Sequence, residues 1–416
     1  MTRVLVFSTL YPNAAQPNHG IFVENRLRHT LALGGIEAEV IAPVPFFPFT
    51  HPAFGRYATF ARAPRAEQRH GVQVWHPRYF VAPKVGVNVT PNFLYRAGLS
   101  VARRLIREGR RFDVIDAHYF YPDGVAAVRL GRALQLPVVI TGRGTDLTLL
   151  PSLPGPRAQI QDAAAEASAL ITVCEDLGTR LVELGADPGR TIVLRNGVDL
   201  ELFRPHPDRQ AVRDRLGLTG FTLISVGALI PRKGHDLVIS ALSDCPDCTL
   251  LIAGGGPQRS QLEALARQLG VADRVRFLGE APHHQLSDYY SAADVMVLAS
   301  EREGWANVLL EALACGTPVI ASDVNGTSEV IQGPEAGLLL PERSSRAIVE
   351  AIARLRGDMP SREVARRYAE QFDWFRIASA NRALLAAVAK AGYGERHSPH
   401  LLEAARAELT MGANSD

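Results

Sequence analysis

Glu303 and Glu311 stand with seven residues between them in SEREGWANVLLEALACGTPVIASD, the stretch Ser300–Asp323. Glu303 lies in a polar, glycine-containing loop that follows the apolar run DVMVLAS. Glu311 lies inside the helical pattern VLLEALAC, read as two turns from its start. Free N–H groups at a helix start attract anions, phosphate above all. A carboxylate cannot bind phosphate, but it accepts hydrogen bonds from hydroxyls. Hydroxyl, phosphate, hydroxyl is the layout of a nucleotide-sugar: sugar, diphosphate, ribose. The plainer alternative is an acidic turn complementing the helix dipole, with Glu311 solvated. E-x(7)-E arises often by chance, but Gly304, Asn307 and the ending ACGTPVIASD accompany this pair.

Such residues need a scaffold that brings strand ends and helix starts together. Short apolar runs, RVLVFS, EAEVIAP, VQVWHP, DVIDAH, PVVIT, ALITV and TIVL, alternate with helical patterns in the first half. Continuous apolar strands separated by helices indicate a parallel sheet covered on both faces. RNGVDLELFRPHPDRQ, with its Asn-Gly turn and paired prolines, reads as a link between domains. The alternation then restarts with TLISVG, TLLIAG, RVRFLG, DVMVLAS and PVIASD, and the chain is helical from about Arg343 to the polar tail MGANSD. The expected architecture is α/β, two doubly wound Rossmann-like domains facing a cleft. The expected boundaries are 1–204, 205–373, and 374–416 as helices crossing back to the first domain. In each half a loop after the first strand ends in a glycine that opens a helix, Gly20 and Gly234. Ligands of open α/β sheets bind at the carboxyl ends of strands.

Composition limits the alternatives. The chain has 416 residues, 47% hydrophobic and 21% charged, with a net charge of +2. That length favours two domains, and the charge gives no argument for nucleic acid. Four cysteines are too few and too scattered for a disulfide framework, which fits a reducing cytoplasm. No apolar run is long enough to span a bilayer, and MTRVLVFSTLYPN reads as a first buried strand rather than a signal peptide. Cys245 and Cys248 form C-x-x-C ahead of a strand, with no second ligand pair at zinc spacing.

Taken in order, HGIFVENRL, DAHYFYPDG, TGRGTD, LRNGVD, VGALIPRKGHDLVISAL, IAGGGP and EREGWANVLLEALACGTPVIASD resemble glycosyltransferase family 4, of the GT-B fold. The resemblance covers almost the whole chain and is greatest to bacterial enzymes of cell-surface polysaccharide assembly. It implies a retaining hexosyltransferase that moves a sugar from a nucleotide diphosphate-sugar to a glycan or lipid-linked acceptor. The first domain would bind the acceptor and the second the donor, with domain closure completing the site. Glu303 would hold sugar hydroxyls and Glu311 the ribose. Amides after Gly304, near Asn307 and Val308, would meet the sugar and diphosphate. Arg232 and Lys233 would clamp the diphosphate and stabilise the departing nucleotide. Many members carry arginine directly after the glycine that ends the first strand of the second domain. This chain has Ala228 there, so Arg232 or Arg143 would supply the guanidinium.

His118, at the end of DVIDAH, would position and polarise the sugar. Gly20 would let its loop approach the sugar phosphate or acceptor. Asp146 would lie at the site or cap a helix. No D-x-D motif is present, so no metal and no cofactor is expected. A nucleotide-sugar epimerase and a non-catalytic sugar-nucleotide-binding protein are the rival readings. An NAD-dependent oxidoreductase is disfavoured, because the first strand leads into TLYPNAAQPNHG and not a glycine fingerprint.

One charge pattern stands apart. Between Arg56 and Arg111 the only acids are Glu67 and Glu108. In PNFLYRAGLSVARRLIREGRR, Phe93, Ala97, Val101 and Leu105 share one expected face, and Arg96, Arg103, Arg107 and Arg110 another. This is either a half-buried helix with a solvated outer face or a docking element for an anionic membrane surface. The neighbouring APVPFFPFTHPAFGRYATF would cover an acceptor or touch lipid.

Overall fold

The computed structural model describes residues 1–81, 86–395 and 399–410, so the tail MGANSD lies outside the described residues. The chain forms two compact units, Met1–Asn196 with Trp374–Asp416, and Gly197–Asp373. The division falls at Asn196 rather than at the expected Arg204. Asn196 is buried among first-unit arginines, whereas the Val198 N–H donates to Phe372 O, 2.9 Å, in the second unit.

The first unit holds β1 (Thr2–Phe7), β2 (Ile36–Ile41), β3 (Val44–Pro45), β4 (Ala66–Arg69) and β5 (Val72–Trp75). It continues with β6 (Arg78–Tyr79), β7 (Val114–His118), β8 (Val138–Gly142), β9 (Ala169–Thr172) and β10 (Thr191–Val193). Eight of these form one sheet in the order β10-β9-β8-β7-β1-β2-β5-β4, and β3 pairs with β6. The large sheet is parallel except at its edge, where β4 runs antiparallel to β5. Every residue of β7, β8 and β9 is buried, as strands covered on both faces require. The chain order reverses between β1 and β7, which opens a crevice at the carboxyl ends of those two strands.

Helix Trp374–Ala391 closes one face by packing on helix Ile21–Ala32. The Trp374 and His29 rings stack with centroids 5.2 Å apart, and Asn381 Nδ2 donates to Thr30 Oγ1 at 3.2 Å. Helix Gly86–Arg107 buries Leu94, Gly98, Ala102 and Leu105, a face rotated by one residue from the expected Phe93, Ala97, Val101 and Leu105. The cause is Gly98. A Cβ there would stand 2.6 Å from Phe7 Cε2, so only glycine lets the helix settle this closely on the end of β1. Arg96, Arg103 and Arg107 remain exposed, as does Arg110 just beyond the helix.

The second unit holds β11 (Phe221–Val226), β12 (Cys248–Ala253), β13 (Val275–Gly279), β14 (Val295–Leu298), β15 (Val319–Ser322) and β16 (Gly337–Leu340). Their order is β13-β12-β11-β14-β15-β16, all pairs parallel, with the reversal between β11 and β14. Leu223, Leu250, Ile252, Val295 and Val297 meet Val238, Ile348 and Ile352 of the flanking helices in its core. β16 has no counterpart among the expected strands, because GLLL is short and opens on a glycine. No described helix is long and apolar enough to cross a membrane.

Candidate active site

Two loops lock together at the reversal point of the second sheet. After β11 the chain runs through Pro231–Lys233 as one 3₁₀ turn into Gly234, which opens helix His235–Ala241. Gly234 has φ +67°, and a Cβ there would stand 2.0 Å from Ala299 O. Only glycine tolerates that conformation and that contact, so the β11 loop presses on the chain leaving β14.

Across this contact Lys233 Nζ meets Glu303 Oε1 at 2.5 Å, and Arg232 Nη1 lies 3.8 Å from Glu303 Oε2. Arg232 Nη1 also donates to Arg302 O at 2.7 Å, and the Glu301 N–H donates back to Arg232 O at 2.8 Å. Ser300 Oγ adds a 2.6 Å bond to Glu303 Oε1, and the Glu303 N–H donates to Asn325 Oδ1 at 3.3 Å. Glu303 is 9% exposed. Both short bonds fall on Oε1. Among the described residues Oε2 faces only the distant Arg232, so it keeps capacity to accept a hydroxyl hydrogen. Ala228 leaves the β11 loop without a cation at that position; Arg232 reaches the Glu303 loop at Arg302 O, and Arg343 Nε donates to Ala299 O at 2.8 Å.

Helix Asn307–Ala314 begins just beyond. Its cap residue, Ala306, has no side chain to accept from the first turn, and the Leu309 N–H turns to Ala306 O at 3.0 Å, so the start offers an anion its dipole and the Val308 amide. The Asn307 N–H itself turns to Trp305 O, 3.1 Å. Glu311 lies one turn into this helix, not two, and it is buried rather than solvated. Tyr290 OH donates to Glu311 Oε2 at 3.0 Å, and His283 Nε2 lies 3.2 Å from Oε1. Burial, then the Glu311 charge, pushes the Tyr290 hydroxyl far above its ordinary value, so it stays a donor. Trp305 packs against Phe372, ring centroids 6.1 Å apart. Burial raises both thiols of Cys245 and Cys248, and Arg356 Nη2 donates to Cys248 Sγ at 3.0 Å.

The first unit gathers charge at its own reversal point. His118 closes β7 and is 1% exposed. Arg143 Nη2 lies 2.9 Å from His118 Nδ1, and Asp116 Oδ2 lies 3.4 Å from Nε2. A guanidinium only donates, so Nδ1 must be the bare nitrogen and Nε2 carries the proton. Burial lowers the His118 pKa, and the Asp116 carboxylate offsets only part of this. Burial also pushes Asp116 upward, but His118, Arg26 and Arg143 outweigh it and leave that pKa lowered. Arg143 Nη1 donates to Asn196 Oδ1 at 3.1 Å, and Arg26 Nη2 donates to the same oxygen at 3.0 Å and to Leu194 O at 2.7 Å.

Asp146 accepts N–H bonds from Phe120 (2.6 Å), Gly144 (2.7 Å) and Arg143 (3.1 Å), clipping the β8 loop to the segment after β7. Gly20 has φ +70°, and a Cβ there would lie 2.3 Å from the Leu10 carbonyl carbon, so the backbone pressed against it is its own loop. Thr9 Oγ1 donates to Asp123 Oδ2 at 2.8 Å. Asp123 is fully buried, its Oδ1 has no partner among the described residues, and burial pushes its carboxyl up to about 8.

Residues 208–372 match the family Glycosyl transferases group 1, and residues 26–202 match Glycosyltransferase Family 4. TuaC of Bacillus subtilis (strain 168), a glycosyltransferase provisionally named for teichuronic acid biosynthesis, is 31% identical over 363 residues, covering 85% of this chain and 88% of TuaC. The chain belongs to glycosyltransferase family 4. D-inositol 3-phosphate glycosyltransferase 1 of Catenulispora acidiphila is 31% identical over 406 residues, 89% of this chain and 92% of that one. The fold is GT-B. The structure of Anabaena Alr3699/HepE with UDP-glucose aligns at a TM-score of 0.69 and 22% identity, over 91% of this chain and 97% of that one.

In this family 4 glycosyltransferase, the expected Arg232, Lys233, Glu303 and Gly304 converge at one strand-end junction, with Asn307, Val308 and Glu311 on the helix that follows. His118, Arg143 and Asp146 converge in the first unit, with Gly20 on the adjacent β1 loop. Sequence reasoning missed the groups that orient them: Ser300, Asn325, Tyr290 and His283 in the second unit, and Asp116, Arg26, Asn196, Thr9 and Asp123 in the first. Asn196 carries a signal, since it lies in LRNGVD, but beside Gly197 it reads as a turn residue only.

Proposed function

We propose that this glycosyltransferase is a retaining hexosyltransferase. It takes a sugar from a nucleotide diphosphate-sugar and passes it to a glycan or lipid-linked acceptor in polysaccharide or glycoconjugate assembly. The observation that carries the reading is the Lys233–Glu303–Arg232 cluster beside the uncapped start of helix Asn307–Ala314. Two cations and a helix start without a side-chain cap suit a diphosphate, and the unfilled oxygen of Glu303 suits a sugar hydroxyl. Glu311, held from behind by Tyr290 and His283, suits the ribose. In the reaction the bond from the anomeric carbon to the phosphate oxygen breaks. The acceptor oxygen bonds to that carbon from the same face and passes its proton to the departing phosphate oxygen beside it. Arg232, Lys233 and the helix start take up the charge growing on the departing diphosphate, in a reaction that proceeds without a metal. His118, with both ring nitrogens engaged, acts by position rather than by proton transfer.

The acceptor side is assigned to the first unit. Alr3699/HepE, with its bound UDP-glucose, supports a nucleotide-sugar donor, and the name of TuaC supports polysaccharide assembly. The exposed arginines of helix Gly86–Arg107 support a cytoplasmic enzyme docked on the inner face of the membrane.

The test is a panel of UDP-, GDP-, ADP- and dTDP-sugars, with nucleotide diphosphate release measured with and without EDTA and beside Glu303→Ala. Release from one donor, unaffected by EDTA and lost in the variant, is the expected result. Tight binding of a donor without release, even with membrane lipid extract added, would reduce the protein to a binder. Analysis of the product's anomeric configuration checks retention.

A further inference from the structure

Five large aromatic side chains of the first unit point into water, and they lie close together in sequence and in the fold. Phe46 is 53% exposed, Phe49 55%, Phe54 44%, Tyr57 48% and Phe80 57%. They are not loose. The Phe47 ring sits at 5.9, 5.4 and 5.3 Å from Phe49, Phe54 and Tyr57, and Phe49 stacks on Phe54 at 5.3 Å. The short pairing of β3 with β6 aligns the two segments, and the Phe46 N–H donates to Tyr79 O at 2.7 Å. Phe80 then leans on Phe93 of helix Gly86–Arg107, centroids 5.6 Å apart. The unit therefore displays a platform of rings packed on one another and left largely uncovered by the described residues. Exposed apolar patches of this kind mark interaction sites.

The charge around the platform identifies the occupant. From Val40 to Ala66 the sequence contains no aspartate or glutamate, but it contains Arg56, Arg62 and Arg65. Arg62 and Arg65 are exposed, and so are Arg96 and Arg103 on the helix that carries Phe93. A neutral glycan calls for carboxylates and amides between the rings. Rings in an acid-free segment with exposed guanidinium groups beside them match an anionic phospholipid surface, with the rings at the headgroup boundary and the arginines on phosphates.

We propose that the Phe46–Tyr57 loop, with Phe80, inserts into an anionic bilayer. It makes docking an apolar as well as an electrostatic event. This deepens the membrane-surface part of the proposed function and does not depend on which sugar is transferred.

Phe49→Trp supplies the probe, and the wild type supplies the background from its own tryptophans. With vesicles of phosphatidylglycerol and phosphatidylcholine, the emission of Phe49→Trp shifts to the blue and is quenched by lipids brominated on their acyl chains. Adding Phe46→Ser and Phe54→Ser lowers vesicle partitioning about tenfold, and the loss persists at high salt, where purely ionic binding has already faded. Absence of blue shift and quenching overturns the proposal, as does partitioning unchanged by the two serines. A shift produced by soluble oligosaccharide without vesicles also overturns it and makes the platform a glycan site. Nucleotide diphosphate release without vesicles reads the catalytic assignment separately. It is expected to be the same in all these variants, so failure of that assignment would appear in that assay alone.

Discussion

Glu303 divides its oxygens between two tasks: Oε1 is fastened by Lys233 and Ser300, and Oε2 is left for a ligand. Glu303→Gln keeps the shape but replaces an acceptor with an amide. The expected result is a loss of roughly 10²–10³ in kcat/KM, the size typical of one positioned transition-state contact. Affinity for the free nucleotide diphosphate should change little. Lys233→Ala should do the opposite, weakening nucleotide diphosphate binding by tenfold or more while the fold survives. Calorimetric titration beside turnover separates the two, and equal effects on both quantities in both variants would contradict the division of labour. At this scale the glutamates and cations are legible in the sequence, because their loops carry distinctive residue types. Tyr290 and His283 are not. They reach Glu311 from a helix that is brought alongside only by the order of strands in the sheet.

At the scale of elements, two glycines set how closely chain segments approach. Gly98→Ala must push Phe7, a fully buried ring, by the bulk of one methyl group. Overpacking of this kind costs about 1–3 kcal/mol, readable as a lower urea midpoint with donor binding unchanged. Gly234→Ala is harsher, because the added carbon meets the Ala299 carbonyl and the backbone is left-handed. It should abolish donor binding by parting the Lys233 loop from Glu303. Retained affinity would show that the junction can relax. Parallel strands are easy to read, since a strand buried on both faces is apolar throughout. The helix face differs by one residue from its expected position because hydrophobicity alone favours Phe93 and Val101, whereas contact favours the small Gly98 and Ala102. The edge strand β4, AEQR, leaves no mark in the pattern because an edge needs no continuous apolar run, and β16 leaves none because GLLL is short and opens on a glycine.

The molecule as a whole carries buried charge that patterning does not disclose. Arg26 is fully buried, and burial pulls its pKa down to about 10. Nothing in HGIFVENRL distinguishes it from an arginine facing water; its partners come from LRNGVD, far along the chain. Asp123 has a consequence that can be measured. Its carboxyl moves from 3.8 in the unfolded chain to about 8 when folded. Between those values the folded state holds the proton and the unfolded state does not, so stability falls as pH rises through the window. Each tenfold weakening of the acid on folding is worth about 1.4 kcal/mol. Asp123→Asn removes the titration and keeps an acceptor for Thr9. Its melting temperature relative to wild type should therefore climb steadily from pH 5 to pH 8. A constant difference would mean that Asp123 is ionised throughout.

Because Gly197–Asp373 interrupts the first unit, the order of synthesis is not the order of completion. A ribosome releases the whole inserted unit before it makes Trp374–Ala391, the helix that covers Val23 and Leu27 on Ile21–Ala32. The earliest part of the chain is thus the last to gain its cover, and during translation it is the segment most in need of a chaperone.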